Sequence, residues 1–587
     1  MKKLFTMFLI LLLSISLIGC SNSAFNGYKD GSYTGTGDGL NGPVEVEVEV
    51  VNGEISNIVV VSQTETVGLG DVAIEKIVAK TIETNNTNID SVSGATVSST
   101  AIVTAIRDAL TKAGGTKEHF DSEELISLKT AALEDEYEYD VIVIGAGGAG
   151  LSAAIEAAKT GAKVAIVEKT SAAGGNTLVS GGGLNVAGSP QQEKNGVEDS
   201  VELFIEDTLK GGDYENDPVL VQVMAEHSLE AATWLQEEIG VIFMEDRLQQ
   251  FGGHSVPRAL ISQGNKGDEL INKLQAEAES LGVDIYFETT AEALNQIDGR
   301  VTSVVVVNNE KETVFHASKG VIIATGGFAS NIEMRKEYNP VYDEKFLSTA
   351  TPGSTGDGIM MAQEVGADLV DMSYIQVYPT CNPETGIISY VANSRFDGAI
   401  LINQEGKRFV DEMGRRDDIS NAIIDQTGGV AYLVWSSEIE EVGHMTDIHL
   451  VEYSQWENSD LIYKAESIED AAAHYNISVE EMQATIDAYN ASIADGVDED
   501  YNRGGALRTI EEGPFYIQVV TASTHHTMGG IKINDQAQVL DTNGEVIPGL
   551  FAAGEVVGGV HGTNRLGGNA ITDIIVFGRI AGQNVVK

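Results

Sequence analysis

The clearest pattern along the chain is an apolar run, a glycine turn, an apolar helix and a second apolar run between Tyr139 and Lys169. The first run, residues 140–144, is rich in β-branched side chains, as a strand buried on both faces requires. A helix over residues 149–160 and a strand over 163–167 follow. This order predicts a βαβ unit of an α/β protein.

The turn of this unit has the glycine spacing of a nucleotide-binding loop. Gly145, Gly147 and Gly150 stand in G-x-G-x-x-G order, which permits a tight turn, a close approach to a pyrophosphate and close helix packing. Glu168 ends the second strand, where its carboxylate can accept hydrogen bonds from a ribose. Glycine spacing alone also occurs at ordinary turns, but the whole unit with its terminal acid predicts dinucleotide binding.

A different pattern precedes this unit. Valine and glutamate alternate over residues 44–50, which predicts a half-exposed strand that pairs with residues 55–61. Helices are predicted over 72–83 and 100–112. Residues 27–114 are therefore expected to form a small α+β domain, and residues 115–136 a linker with a short helix.

Later segments repeat the alternation of strands and helices. Strands are predicted over residues 283–288, 301–307 and 320–324, and helices over 268–281, 359–365 and 479–494. A chain of 587 residues is long enough for three to four domains at roughly 150 residues each.

Acidic residues outnumber basic ones 88 to 36, for a net charge of −52. This charge argues against binding of nucleic acid or an anionic membrane through a basic face. An anionic substrate would need a local cluster of cations to overcome the overall field. No metal site is predicted.

The first twenty residues form a predicted targeting segment. Lys2 and Lys3 precede an apolar run over residues 4–18, which is too short for a comfortable membrane span. Leu-Ile-Gly-Cys at 17–20 resembles a bacterial lipobox, which implies a signal peptide over 1–19, lipidation of Cys20, a tether over 20–26 and a lipid anchor on the outer face of the cell membrane. An uncleaved anchor is the alternative, and either implies export. With Cys20 lipidated, Cys381 has no intramolecular disulfide partner.

Three further glycine-rich stretches favour a flavin as the dinucleotide, because backbone without side chains can lie against an isoalloxazine ring. They occupy residues 174–185, 326–328 and 549–570. Together with the first loop they resemble the flavoproteins of the fumarate reductase and succinate dehydrogenase superfamily over about the last 450 residues. The resemblance implies a Rossmann-like FAD-binding domain over 137–371 and 524–587, interrupted by an α+β capping domain over 372–523.

The resemblance also implies the residues that contact non-covalent FAD. These are Gly145, Gly147, Gly148, Gly150, Glu168, Lys169, Gly175, Asn176, Thr177, Gly181, Gly182, Gly326, Gly327, Asp357, Gly554, Glu555, Gly568, Asn569 and Ala570. The sequence contains no C-x-x-C-H motif, so it lacks the c-type haem sites of the flavocytochromes in this family.

Residues 90–99, Asp-Ser-Val-Ser-Gly-Ala-Thr-Val-Ser-Ser, resemble the flavinylation motif of FMN-binding domains. The resemblance implies FMN joined through its phosphate to the hydroxyl of Thr96, and a flavin transferase as the maturation partner. A helix N-terminus beside the threonine would favour the phosphate charge. In the alternative interpretation the motif is a helix cap with Ser98 or Ser99 at the N-cap.

Two segments resemble the family's substrate-carboxylate clamp. Thr524–Gly530 matches the histidine segment and His561–Arg565 the arginine segment. His525 and Arg565 would hold one carboxylate, with arginine as a bidentate fork. These residues supply the local cations that an anionic substrate needs. His526 is expected to be structural.

The segment 406–417 resembles the cap segment that carries the family's proton-donating arginine, and Arg416 is the matching position. Arg395 matches the relay arginine, but no acid occupies residues 391–395, where the relay carboxylate is expected. Because arginine has a pKa above about 12, it must act as a relay that neighbours replenish. A surface charge cluster is the alternative interpretation of residues 415–418.

Tyr378 stands where fumarate reductases have the histidine for the second carboxylate, within Gln-Val-Tyr-Pro-Thr. Tyrosine offers a ring face and a phenolic hydrogen bond, and it resembles the urocanate reductases. Those enzymes carry an aspartate near the ring at the position aligned with Asn393.

The expected function is reduction of the C=C bond of an α,β-unsaturated carboxylate, urocanate or a related aryl acrylate, with electrons passing from FMN to FAD to substrate. A membrane or extracellular donor would supply the electrons. Fumarate reduction is one alternative. A flavin electron-transfer protein without a small-molecule product is another, which His525, Arg416 and Arg565 disfavour.

Overall fold

The computed structural model describes residues 27–40, 42–65, 70–92, 94–128, 133–263 and 266–587. Within them the chain forms two compact units, residues 27–65 with 73–128, and residues 70–72 with 133–587. The predicted signal peptide and tether, including Cys20, lie outside the described residues. No helix in the described part of the chain is long and apolar enough to cross a membrane.

The first unit is a three-stranded antiparallel sheet with helices. Its strands are β1 Gly31–Asp38, β2 Pro43–Val51 and β3 Glu54–Ser62. Its helices are α1 Gly70–Thr84, which belongs to this unit from Ala73 onward, α2 Thr96–Lys112 and α3 Lys117–Phe120. The order is β1-β2-β3. Along β2 the valines at even positions 44–50 are buried and the intervening glutamates are exposed, so the alternation predicted the inner face of the sheet.

Two details of this unit differ from the sequence expectation. Helix α2 begins at Thr96, four residues before the predicted start, because the cap is the backbone of Ala95 and not a serine side chain. Residues 115–128, which were expected to belong to a linker, pack with the small unit: Phe120 is buried, and Asp90 N donates to Ile126 O at 2.9 Å.

The second unit contains the remaining strands. They are β4 Glu136–Ile144, β5 Val164–Val167, β6 Leu184–Asn185, β7 Phe243–Gln249, β8 Ala259–Ser262, β9 Asp284–Tyr286, β10 Thr290–Ile297, β11 Arg300–Asn308, β12 Lys311–Ile323, β13 Leu369–Val370, β14 Ile375–Cys381, β15 Ile400–Ile402, β16 Val430–Ser436, β17 Ile462–Ala465, β18 Phe515–Thr527, β19 Gly530–Ile531, β20 Gln538–Leu540 and β21 Val546–Ala552.

Its helices connect and cover these strands. They are α4 Gly148–Lys159, α5 Gly175–Leu178, α6 Pro190–Lys194, α7 Val201–Gly211, α8 Pro218–Glu237, α9 Gly267–Ser280, α10 Ile332–Tyr338, α11 Asp357–Glu364, α12 Ser394–Asp397, α13 Arg416–Ile424, α14 Ser437–Gly443, α15 Met445–Ile448, α16 Leu450–Asn458, α17 Ile468–His474, α18 Val479–Ser492 and α19 Asn569–Val585. Single 3₁₀ turns lie at Val391–Asn393, Thr427–Gly429 and Ile493–Asp495.

The main sheet has the order β10-β11-β12-β4-β5-β9, and β21 pairs with β12 and β20. Strands β12, β4, β5 and β9 are parallel neighbours, and β21 is parallel to β12. Helix α4 connects β4 to β5, as the predicted βαβ unit requires. The carboxyl ends of these parallel strands meet at one edge, where ligands bind in open α/β sheets.

A second sheet, with the order β14-β18-β16-β15 and β17 beside β18, has its own hydrophobic core of residues between Val391 and Val520. Strand β18 is continuous across the predicted boundary at residue 523. Its pairing with β14 places Gln376 opposite His526 and Tyr378 opposite Ser523. One strand pair therefore carries residues from both predicted substrate segments. We refer to residues 372–523 as the cap.

Candidate active site

A groove lined by glycine and polar residues lies at the carboxyl edge of β4, β5 and β12. Eleven residues predicted to contact FAD line it: Gly145, Gly147, Gly148, Glu168, Lys169, Gly175, Asn176, Thr177, Gly326, Asp357 and Glu555. Gly147, which has no side chain to cap the helix, stands at the N-terminus of α4. A helix N-terminus without a side-chain cap is suited to a pyrophosphate.

Two glycines of the first loop are required by close approaches. A Cβ atom on Gly150 would lie 1.9 Å from the carbonyl oxygen of Gly145, so α4 can pack on β4 only without a side chain there. Gly145 itself has φ +102°, a region that favours glycine. Glu168 braces the same loop, because its Oε2 accepts from Ala146 N at 2.8 Å and its Oε1 from Thr170 N at 2.8 Å.

A larger cavity of about 920 Å³ adjoins this groove between the main sheet region and the cap, and the two share Asn176, Thr177 and Glu555. Gly181, Gly182, Gly568 and Ala570 also line it. Cβ atoms on Gly175 and Gly181 would meet nothing within 4 Å, so these backbones leave open space. The groove and cavity therefore fit a flavin dinucleotide, with the groove for its phosphates and the cavity for its ring.

Four predicted FAD residues line neither space. Gly150, Gly327, Gly554 and Asn569 pack behind the walls: a Cβ on Gly327 would lie 2.0 Å from Thr527 Oγ1, and one on Gly554 would lie 2.9 Å from the Cβ of Ala149. Asn569 is fully buried, and its Oδ1 accepts from Asn185 Nδ2 at 2.7 Å. These residues support the shape of the site from behind.

Five of the six predicted catalytic residues line the larger cavity: Tyr378, Asn393, Arg416, His525 and Arg565. The sixth, Arg395, lies in an adjoining pocket that shares Arg416 and Arg565. Residues from β14, α12, α13, β18 and the C-terminal segment are thus brought to one place.

Arg565 is held by polar contacts that leave part of its guanidinium free. Its Nη2 donates to Gln376 Oε1 at 2.9 Å, and Gln376 Nε2 in turn donates to Asn564 Oδ1 at 2.6 Å. Its Nε is buried without a partner among the described residues. Burial, and then the charge of Arg416, lower the pKa of Arg565 to about 9. Gln376 was not singled out from the sequence, although it lies within the Tyr378 motif.

His525 lies between Tyr378 and Thr349. Its ring centroid is 5.1 Å from that of Tyr378, and its Nδ1 is 2.6 Å from Thr349 Oγ1. Burial, and then the charge of Arg565, hold the pKa of His525 well below its usual value, so the ring is neutral near pH 7. When Nδ1 accepts from the Thr349 hydroxyl, the proton is on Nε2, which can donate to a carboxylate.

Tyr378 is the centre of an arginine cluster. The Cζ atom of Arg416 lies 4.9 Å from the Tyr378 ring centroid and that of Arg395 lies 5.9 Å from it. Burial lowers the pKa of both arginines. The charge of Arg395 also lowers the pKa of Arg416, and the charge of Arg416 lowers the pKa of Arg565. A hydrogen bond between Arg395 and the Tyr378 hydroxyl opposes the shift for Arg395.

No carboxylate in the described part of the chain forms an ion pair with Arg395, Arg416 or Arg565. Glu555, an acid of the cavity wall, accepts from Thr527 N at 3.1 Å and Asn176 Nδ2 at 3.0 Å. Burial raises the pKa of Glu555. Buried cations without counter-ions are unfavourable, so the cluster is suited to an anionic ligand.

Neighbouring Arg415 has a different environment. Its Nη1 lies 2.7 Å from Asp213 Oδ1, and its Nη2 lies 2.7 Å from Asp417 Oδ2. Asp213 precedes α8, outside the cap, so this ion pair joins the cap to the main sheet region one residue before Arg416. Of Arg415 and Arg416, only Arg415 belongs to a surface charge cluster of the kind that the alternative interpretation describes.

His526, expected to be structural, also lines the cavity. Its Nδ1 is 3.6 Å from Glu555 Oε1, and its ring meets that of His561 at 5.4 Å. Burial, and then the charge of Arg565, hold its pKa well below the usual value.

Thr96, the predicted FMN attachment residue, belongs to the first unit. It is exposed at the N-terminus of α2, and its hydroxyl makes no hydrogen bond with the described residues. Ser99 Oγ donates to Ala95 O at 2.8 Å and Ser98 Oγ to Glu65, so neither serine caps the helix. An uncapped helix with an exposed hydroxyl at its first turn fits a phosphate ester.

The family described as "FAD binding domain" matches residues 140–571. The chain belongs to this family. The family described as "FMN-binding domain" matches residues 39–111. The two predicted flavin domains and the mixed α/β fold class are confirmed.

Individual relatives cover most of the chain. It is 42% identical over 557 residues to a urocanate reductase of Eggerthella lenta, covering 94% of this chain and 92% of that protein. It is 40% identical over 451 residues to a fumarate reductase (cytochrome) of Shewanella frigidimarina, covering 76% and 77%. The open conformation of a flavocytochrome c3 fumarate reductase superposes with a TM-score of 0.66 at 37% identity, covering 77% and 78%.

Proposed function

We propose that this flavoprotein reduces the C=C bond of an α,β-unsaturated carboxylate whose β-carbon carries a ring, urocanate or a related aryl acrylate. The observation that carries the proposal is a group of three arginines, two buried and Arg416 half-buried, that form no ion pair with an acid of the described residues. They line a flavin-sized cavity and its adjoining pocket. Relatives named urocanate reductase and fumarate reductase support the reaction class.

Arg565 and His525 bind the substrate carboxylate in this proposal. Gln376 fixes the Arg565 fork, and Thr349 fixes the His525 ring, so the two donors are preorganised. As the β-carbon accepts a hydride, negative charge develops on the α-carbon and the carboxylate oxygens. The clamp stabilises this charge because it acts in a buried site.

Arg416 donates the proton that the α-carbon receives. Burial lowers its pKa, which makes it a stronger acid than a free arginine. Arg395 and the Tyr378 hydroxyl are the polar groups beside it that could pass a replacement proton. When bound, FAD supplies the hydride to the β-carbon, and FMN supplies the electrons that restore reduced FAD.

Tyr378 and Asn393 carry the substrate preference. Fumarate would find a phenol in place of a cation for its second carboxylate, whereas a ring gains aromatic contact and a hydrogen bond. Fumarate reduction remains the second candidate, supported by the name of the Shewanella relative. A pure electron-transfer protein does not need an uncompensated arginine cluster.

Export, lipidation of Cys20 and attachment of FMN to Thr96 by a flavin transferase belong to the same proposal. They place the enzyme on the outer face of the cell membrane, with electrons from a membrane or extracellular donor. The lipobox and the flavinylation motif support them.

Anaerobic oxidation of the chemically reduced protein by a panel of unsaturated acids tests the function. Urocanate or an aryl acrylate should exceed fumarate in kcat/KM by about a hundredfold or more, which corresponds to about 2.7 kcal/mol. No oxidation by any of these acids would contradict the reaction class. A preference for fumarate over every ring-bearing acid would contradict the role of Tyr378.

Variants at the ring end refine the result. Tyr378→Phe should slow substrates that bond to the phenol, and Tyr378→Ala should slow every ring substrate. Asn393→Asp should help urocanate only if its ring binds as the cation. Equal effects of all three changes on fumarate and ring substrates would contradict ring recognition by these residues.

A further inference from the structure

Asn393 and Asp397 form a second polar position in the wall of the cavity. The 3₁₀ turn Val391–Asn393 leads directly into α12, and Asn393 keeps helical backbone angles. Asn393 and Asp397 are therefore one helical turn apart, and both line the cavity. The side chains of both make no hydrogen bond and no ion pair with the described residues.

Asp397 is an unusual acid for this wall. Of the described residues, Asp397 and Glu555 are the two carboxylates that line the cavity, and Glu555 already accepts hydrogen bonds from Asn176 and Thr527. Asp397 is half-buried, and burial raises its pKa. A half-buried carboxylate without a donor retains its full capacity to accept hydrogen bonds from a ligand.

Asn393 and Asp397 lie in the cap, on different elements from the clamp residues His525 and Arg565. The charges with the largest effects on the pKa of Asp397 are those of Arg508, Arg247 and Glu440, none of which belongs to the arginine cluster. Arg247 lines the cavity from β7, outside the cap. Since Arg247 and Arg508 offset the charge of Asp397, the position favours a neutral hydrogen-bond donor over a second cation.

Apolar and aromatic side chains line the same cavity. They are Phe251, Tyr390, Phe396, Met413, Met445 and Ile448. Such surfaces pack against a planar ring, while a few polar groups fix its orientation.

From this juxtaposition we infer that Asn393 and Asp397 select a neutral ring that carries an O–H or N–H donor on the side away from the acrylate. This inference rests on the proposed function and names its substrate class. A hydroxyaryl acrylate and neutral urocanate share this chemistry, and the ring types in the test distinguish them.

Glycine 443 offers a way to move the carboxylate without removing it. A Cβ atom on Gly443 would lie 2.5 Å from Asp397 Oδ2, the end of a flexible side chain. Gly443 does not have a positive φ, so alanine fits its backbone. Gly443→Ala should displace Asp397 and leave its charge intact.

The experiment compares kcat/KM for 3-phenylacrylate, its 4-hydroxy and 4-methoxy derivatives, urocanate and ring-free acrylate, with chemically reduced protein. Wild type should prefer the hydroxy over the methoxy compound, or urocanate over 3-phenylacrylate, by about tenfold. Asp397→Asn and Gly443→Ala should each reduce that preference to about twofold or less. Activity with 3-phenylacrylate and acrylate should stay within about twofold. Asp298→Asn, the same change in an exposed turn, should preserve the preference.

The wild type alone can overturn the inference. It would do so if kcat/KM were equal for the hydroxy and methoxy compounds and also equal for urocanate and 3-phenylacrylate. A uniform loss on all acids in Asp397→Asn and Gly443→Ala would also overturn it, because it would show a structural role. Turnover of none of the acids by wild type would instead contradict the proposed function. FAD absorbance of each variant establishes that it is folded.

Discussion

Two groups of arginines lie in and beside the cap and differ in their acidic partners. Arg408 and Arg503 contact the fully buried Glu412, at 2.7 Å and 3.0 Å, and Arg408 also contacts Asp498. Burial lowers the pKa of Arg408, but its hydrogen bonds with Glu412 and Asp498 outweigh burial and raise that pKa above its usual value. Arg416 lies four residues after Glu412, and burial lowers its pKa.

The difference separates structural from functional charge. A buried ion pair with satisfied hydrogen bonds holds a loop in one conformation. A buried cation without an acid instead lowers the stability of the folded protein. Arg395, Arg416 and Arg565, which form no ion pair with the described residues, are the second kind of group and line the cavity and its adjoining pocket. An anionic substrate would supply the charge that the protein does not.

Breaking the paired group should have the largest effect on stability. Glu412→Ala removes the acceptor that Arg408, Arg503 and Leu401 N share. The free energy of unfolding of the cap should fall by about 3–5 kcal/mol, the usual result when one partner of a buried pair is removed.

Denaturant titration of the FAD-loaded protein measures this change. Glu499→Ala, which removes an exposed acid from the same loop region as Asp498, should change the unfolding midpoint little. Equal midpoints for the two variants would show that the Glu412 network does not hold the cap.

Removing the unpaired arginine should affect chemistry more than folding. Arg416→Ala should retain FAD and lose turnover by at least about 10²-fold, the lower range for a general acid. Arg415→Ala removes the ion pair with Asp213 but not the donor, so its loss should be smaller. Steady-state rates with a ring acrylate measure both, and near-normal turnover of Arg416→Ala would require another donor.

The lowered pKa of Arg565 should be visible as a pH effect. Below pH 9 the clamp is charged, and above pH 9 the free enzyme loses that charge, so kcat/KM should fall about tenfold per pH unit. The limb in kcat should lie at higher pH, because a bound carboxylate favours the charged form of arginine. Coincident limbs would mean that Arg565 does not contact the substrate carboxylate.

Of these variants, Thr96→Ala should have the smallest effect on the reaction at the arginine cluster. After coexpression with a flavin transferase, the mass of the wild type should exceed that of the variant by one FMN, apart from the substituted side chain. Turnover with an artificial reductant that reaches FAD directly should be unchanged. An equal mass apart from that side chain would contradict attachment at Thr96.

Local patterns predicted most of the fold. The βαβ unit was expected from the β-branched run, the glycine spacing and the terminal acid, and the structure has β4, α4 and β5 there. The sequence predicts too late a start for α2 because Ser98 and Ser99 are cap-forming residues by type. Their hydroxyls instead contact Glu65 and Ala95, which no local pattern shows.

For the candidate site, the sequence predicts the residues that lie in motifs and misses those whose roles depend on tertiary contacts. His525, Arg416 and Arg565 lie in motifs that can be aligned by their neighbours. Asp397 and Thr349 have no motif, since their roles depend on which elements the cap brings beside the cavity. That Arg416 has no acidic partner among the described residues is likewise a property of the folded site, because Asp417 and Asp418 follow it in sequence but do not pair with it.

Ligand-dependent stability tests the central claim, that the unpaired arginines are reserved for a carboxylate, most directly. Denaturant titrations of wild type and Arg565→Met, with and without a saturated ring acid such as 3-phenylpropanoate, provide the measurement. The acid should stabilise wild type by about 2.7 kcal/mol at a hundred times its Kd. Without the acid, Arg565→Met should be at least as stable as wild type, and it should not respond to the acid. An equal response of both proteins, or a marked loss of stability in the unliganded variant, would contradict the claim.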